Sequence, residues 1–268
     1  MFRHLSSSHT NLKRGLRFFG TASAQKQAIA GTVRPHWNYV LLHTHRPPSA
    51  FEPKPKSPLD RALAMRAREW GGLVNFSWSP EQRVSDAYAG LPGAAAEGEA
   101  EVYAATVWTA DQRRLDVPEV SLRNLDAVEA QMRAHALGQG PSGCAPDLHL
   151  YVCTHGARDC RCGETGGEVA RALQAEVERR GIADEVGVGC VGHVGGHKYA
   201  ANVLVFPYGD WLGTVQAVDV PGILDEILER HGSAGSHEGQ LPPLCPPFWR
   251  GRMGLDKDQQ LALFSAQG

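Results

Sequence analysis

Long apolar runs are missing from this sequence: no stretch approaches the roughly 18 residues that span a bilayer. A soluble chain without membrane insertion is therefore expected. Also missing is a basic stripe interleaved with aromatics, and the formal net charge of −2 leaves no general footprint for nucleic acid. Cysteine is sparse, six in 268 residues, too few to staple a fold through disulfides. Clustered thiols in such a chain point instead to metal binding or redox chemistry. Acidic residues are absent from the first 51 positions, which hold seven Lys or Arg. The remainder carries 20 basic and 29 acidic residues, a formal charge of −9. What is present suits a globular protein, with 42% hydrophobic residues and length for one large domain or two modest ones.

The acid-free opening MFRHLSSSHTNLKRGLRFFGTASAQ is rich in Arg, Ser and Thr, and spaces Leu5, Leu12, Leu16 and Phe19 near a helical period. It reads as a mitochondrial presequence over residues 1–35, cut near RFFGTA, which places the protein in the matrix. The alternative is a disordered basic tail.

Residues 36–143 read as an α/β domain, with strands over 36–45, 72–78 and 101–110 and helices over 59–70 and 122–137. GLPGAAAEGEA (90–100) is a flexible patch, and GQGPSG (138–143) is the candidate domain boundary. Residues 144–232 alternate more regularly. Strands are expected over 147–153, 186–191, 202–207 and 211–218, and helices over 166–181 and 220–232. The order β-α-β-β-β-α gives a small α/β domain with a thioredoxin-like outline. Residues 233–268 form a Gly/Pro-rich tail with an island, PPFWRGRMGLDKDQQLALF, whose Trp249 suits docking onto the body. No internal repeat is visible in the sequence.

Chemistry concentrates in two loops. Cys153 closes a strand, and Cys162 follows nine positions later in YVCTHGARDCRCG, with Cys160 between them. His193 and His197 stand four apart in GHVGGHK, where glycines let the backbone fold closely around a bulky group. Thiolate with imidazole suits zinc or iron–sulfur chemistry rather than magnesium or calcium. A zinc turn usually draws its cysteines from within two to four residues, so the wide spacing favours a [2Fe–2S] cluster. Cys160 is an alternative to Cys162 on spacing alone, and an anion nest is an alternative use of the glycine loop. His155 reads as orienting the first loop, and Arg158 and Asp159 as a pair bracing it. Cys190 reads as a buried small hydrophobe, and Cys144 and Cys245 as free thiols.

THGARDCRCG, GHVGGHKYAANVLVF and WRGRMGLDKDQQ together resemble the sucrase/ferredoxin-like family of thioredoxin-like ferredoxins, most strongly over residues 147–262. The resemblance implies a bis-histidinyl, non-Rieske [2Fe–2S] cluster held by Cys153, Cys162, His193 and His197. It also implies one-electron transfer with a protein donor or acceptor, rather than catalysis on a substrate of its own. Neutral imidazoles in place of two thiolates raise the expected potential above the roughly −400 mV of plant-type ferredoxins. A proton taken up at the remote imidazole nitrogen upon reduction lowers it as pH rises. Two other classes stay open: a structural zinc module in an interaction protein, and a thiol–disulfide protein using Cys160 and Cys162. The latter needs CxxC at a helix start, and CRC has the wrong spacing.

Overall fold

A computed structural model describes residues 29–82, 84–88, 101–139, 147–233 and 240–266. The expected presequence up to residue 28, the patch 90–100, most of the 138–143 linker and Cys144 lie outside the described residues. Residues 32 and 33 lie against the body, Thr32 N donating to Arg250 O and Val33 buried, so the body begins before the expected boundary at 35.

The first half runs β1 (Asn38–His43), α1 (Pro58–Ala67), β2 (Gly72–Trp78), β3 (Val102–Thr109), β4 (Arg114–Ser121) and α2 (Leu125–Ala136). The second runs β5 (Leu148–Cys153), α3 (Cys160–Arg180), β6 (Val186–Val191), β7 (Val203–Phe206), β8 (Asp210–Leu212) and α4 (Val220–Gly232). A closing piece adds β9 (Trp249–Arg252) and α5 (Lys257–Ser265). The protein is α/β, and the expected β-α-β-β-β-α order of the second half is present.

Local chemistry sets the element ends. Ser57 caps α1 by accepting from Asp60 N at 2.9 Å, with Pro58 at the first helical position. Asp159 caps α3, and Gly181 ends it in the left-handed conformation at φ 69°. Helix α3 begins at Cys160, six residues before the expected start, so Cys162 sits in its first turn and not in a loop. The strand expected over 211–218 stops at Leu212. Thr214 takes φ 58° there, which a continuing strand does not accommodate.

All nine described strands join in one sheet, in the order β4-β3-β1-β2-β6-β5-β7-β8-β9. The pairings β1·β2 and β5·β6 are parallel; β1·β3, β3·β4, β5·β7 and β7·β8 are antiparallel. Each half therefore has the same strand order and the same connections, although no repeat shows in the sequence. The halves meet where β2 and β6 pair antiparallel through Ser77↔Val191 and Trp78↔Cys190 alone. An antiparallel joint between equivalent strands relates the halves by an approximate two-fold axis.

Alternation along the strands divides their side chains between two cores. Val40 and Leu42 of β1 face α1 and α2, while Leu148, Leu150 and Val152 of β5 face α3 and α4. The odd-numbered side chains, Tyr39, Leu41, Tyr151 and Cys153, enter a third core shared by both halves. In it Trp108 of β3 stacks on Phe206 of β7, centroids 5.0 Å apart and planes within 10°. The halves thus pack their bare sheet faces together, with helices outside. Cys153 and His43 lie where β5 and β1 run out, at the rims between these layers.

Candidate metal centre

Cys153 is delivered by the end of β5, Cys162 by the first turn of α3 and His193 by the chain leaving β6. One ligand atom from each lies within 4.8 Å of the others, with both cysteines buried. Cys162 Sγ is 3.8 Å from His193 Nδ1. The close approach of α3 to β5 depends on glycine: a Cβ on Gly166 would fall 2.1 Å from the Cys153 carbonyl oxygen, and one on Gly163 would fall 2.7 Å from Gly156 Cα.

His197 completes the surroundings without joining that group. Its ring centroid is 5.8 Å from that of His193, with planes 28° apart. Its side chain is 49% exposed, and its Nδ1 lies 3.6 Å from Asp159 Oδ2. Asp159 pairs with Arg161 at 2.9 Å, not with Arg158, and this contact holds its carboxyl down at about 2. Cys160 is exposed, outside the group.

The thiols are electrostatically unequal. A hydrogen bond from Cys162, backed by the N–H groups of Val194 and His155, holds the Cys153 thiol below its ordinary pKa despite burial. The same shared proton, with burial, pushes Cys162 up. A thiol of lowered pKa beside a second thiol and an imidazole is a donor set for a soft or borderline metal. The residues present fit an iron–sulfur or zinc centre.

The histidine loop is held from several sides. Gly195 and Gly196 take φ 84° and 68°, conformations that glycine adopts without strain. A Cβ on Gly196 would fall 2.4 Å from the Arg250 guanidinium. Buried Arg250 donates to Asn202 Oδ1 at 2.6 Å and Gly195 O at 3.5 Å, and to Thr32 O at 3.0 Å and Thr32 Oγ1 at 3.1 Å. It also lies over Tyr199, 4.7 Å from the ring centroid. From the first half, Asn75 Nδ2 donates to Gly192 O at 3.2 Å and Tyr39 Oη at 3.1 Å. His155 is turned away, its Nε2 2.8 Å from Glu52 O, where it ties the loop to the first half.

Asn202 and Arg250 stand within GHVGGHKYAANVLVF and WRGR, the motifs that carry the family resemblance, but neither is read there as a support of the histidine loop. Asn75 and Thr32 carry no sequence signal at all. Trp249 is buried, stacks on Phe264 with centroids 6.0 Å apart and donates through Nε1 to Asp210. Cys190 is buried as expected, and Cys245 is a buried free thiol.

Comparison with known proteins finds relatives that match part of the chain. Altered inheritance of mitochondria protein 32 from Meyerozyma guilliermondii is 39% identical over 87 residues, 31% of each chain. Actin patches distal protein 1 from Saccharomyces cerevisiae is 32% identical over 91 residues, 30% of this chain and 29% of that one. The matches thus span about a third of the length of these curated relatives. A thioredoxin-like [2Fe-2S] ferredoxin from Aquifex aeolicus superposes with TM-score 0.32 and 21% identity, covering 42% of this chain and 97% of that one. The sucrase/ferredoxin-like family model matches residues 29–251, nearly the whole span of the described structure. The chain therefore belongs to the sucrase/ferredoxin-like family.

Proposed function

We propose that this protein is a mitochondrial matrix electron carrier whose [2Fe–2S] cluster is held by Cys153, Cys162, His193 and His197. The observation that carries this reading is the convergence of two buried cysteines and His193 within 4.8 Å, with His197 stacked beside His193. Family membership supports the ferredoxin chemistry. The acid-free basic leader and the mitochondrial names of several relatives support the location.

A [2Fe–2S] cluster supplies one-electron chemistry when bound. The chain's own part is to bind, orient and shield it. Cys153 and Cys162 provide thiolates from the buried side, where the shared core excludes water. His193 and His197 provide imidazoles from the solvent side. Asp159, with Oδ2 3.6 Å from His197 Nδ1, can orient that ring through its charge. Half-exposed His197, with exposed Lys198 and the Arg161 side chain beside it, gives a partner protein an approach to the site. We place the electron donor or acceptor on that face.

The test is anaerobic purification of the full chain made with iron supply, followed by Fe, sulfide and Zn analysis and EPR of the dithionite-reduced protein. Two irons and two sulfides per chain are expected, with an average g near that of Rieske centres. His197→Cys should retain a cluster at lower potential, while Cys153→Ser should lose it. A colourless protein holding one zinc would turn the four residues into a structural staple.

A further inference from the structure

The two halves share a layout, yet only the second carries the cysteines, and the first holds something else at the equivalent place. His43 ends the six-residue β1 as Cys153 ends the six-residue β5, and Thr-His follows each. Thr44 N donates to Ser77 O at 2.9 Å, and Thr154 N donates to Val191 O at 3.3 Å, the matching carbonyl. The chain leaving β2, residues 79–82, therefore stands where the chain leaving β6 carries His193. Between that chain, β4, β5 and β6 lies a cavity of about 410 Å³.

Its walls are not thiolates. His149 and Tyr151 lie side by side with planes within 12° and centroids 6.2 Å apart. They lean over Gly187 and Gly189, where an added Cβ would fall 2.7 Å from a ring atom. These glycines let two parallel rings lie flat against β6. Arg114 Nη1 donates to His149 Nε2 at 3.0 Å, which leaves the His149 proton on Nδ1. Arg114 Nε is held by Asp116 at 3.0 Å, and Gln82 Nε2 donates to Tyr151 Oη at 3.0 Å. Burial lowers His149 to about 4 and His43 to about 3, so both imidazoles are neutral at pH 7. Among the described residues, the charged groups on the wall are then Arg114, Asp116 and Glu81, a formal −1.

We propose that this cavity is a second ligand site, for an uncharged planar heterocycle with an amide-type edge, of nucleobase or isoalloxazine kind. Three features select that class. The partly exposed His149 ring, lying flat beside buried Tyr151, offers a stacking surface. Arg114 and Asp116 set a donor beside an acceptor, the complement of an –NH–C=O– edge. The net negative wall disfavours phosphates and other anions. The volume falls within the roughly 300–1,000 Å³ of small-molecule sites. The site depends on no metal, so it stands or falls apart from the cluster.

The experiment is titration calorimetry of the full chain with riboflavin and with uridine, then with their monophosphates. At least one uncharged probe should bind saturably at one per chain and more tightly than its monophosphate. Asp116→Asn changes a side chain that is 59% exposed, so the fold tolerates it, and Arg114→Gln is the second variant. Each should weaken binding roughly tenfold or more, as expected for loss of a charged hydrogen-bond partner. No saturable binding of either probe up to millimolar concentration would overturn the proposal. So would tighter binding of the phosphates, or binding that both variants leave unchanged.

Discussion

Asp210 has no exposed surface, yet it meets a guanidinium there. Arg252 neutralises it through two bonds, at 2.9 and 3.0 Å, and Trp249 Nε1 donates to it as well. Arg252 in turn donates to the carbonyls of Leu241 and Pro242, at 2.6 and 2.7 Å. One aspartate thus fastens β9 to β8 and both to the chain before β9. Removing one partner of a buried pair leaves the other charge unpaired, a cost of about 3–5 kcal/mol. Asp210→Ala should lose about that much in urea unfolding; a loss below about 1 kcal/mol would show that Arg252 finds other partners. In sequence, Asp210 lies in a plain YGDW turn, and nothing there marks it as the anchor for WRGR. The four proposed ligands were legible because their residue types are rare and clustered. Their supports were not, because Asn75, Thr32 and Asn202 are ordinary residues brought together only by the fold.

Helix α3 shows how two adjacent glycines can have opposite roles. Gly166 faces β5, where a Cβ would fall 2.1 Å from a backbone carbonyl that cannot yield as a side chain could. On Gly167 the nearest atom is the end of the flexible Arg171 side chain, at 3.4 Å. Gly167→Ala should therefore stabilise the protein by about 0.5–1 kcal/mol through helix propensity. Gly166→Ala should destabilise it by up to about 3 kcal/mol or more by pushing α3 off β5. Thermal unfolding of the two variants checks both signs, and equal effects would refute the assignment of faces. In sequence the helix is expected to start only at Gly166, and CRCGET reads as loop, because the low helix propensity of Gly163 and Thr165 hides a first turn that Asp159 caps. Strand β4, RLDVPEVS, was missed for a related reason: Pro118 and its charges argue against a strand, but at a sheet edge both are tolerated.

Among the described residues, burial lowers the imidazoles of His36, His43 and His149 to about 4, 3 and 4, and lowers His135 and His155 as well. In the unfolded chain each binds a proton near pH 6.5. Below that pH the unfolded state takes up more protons than the folded one, so stability falls from about pH 6.5 toward pH 4. Each of the first three imidazoles accounts for about 3 kcal/mol of the loss at pH 4. Urea midpoints followed by circular dichroism should drop steadily between pH 7 and 4.5, less steeply in His36→Gln. A flat profile would mean that these side chains are not buried as neutral groups. At this scale the β-α-β-β-β-α order was legible from hydrophobic periodicity, but the duplication was not. The halves share strand order and backbone register while keeping little side-chain identity beyond His43-Thr44-His45 and Cys153-Thr154-His155.

The joint between β2 and β6 bears on how the two halves are held. Each half on its own would leave the helix-free face of its sheet bare, with Trp108 or Phe206 in water. Two identical copies can hide that face by pairing the same strand antiparallel across a two-fold axis, the isologous contact of a symmetric dimer. Strands β2 and β6 make that contact inside one chain. The architecture is that of two like halves joined as the subunits of a symmetric dimer would be, with Cys153 at the end of β5 and His43 at the matching place on β1.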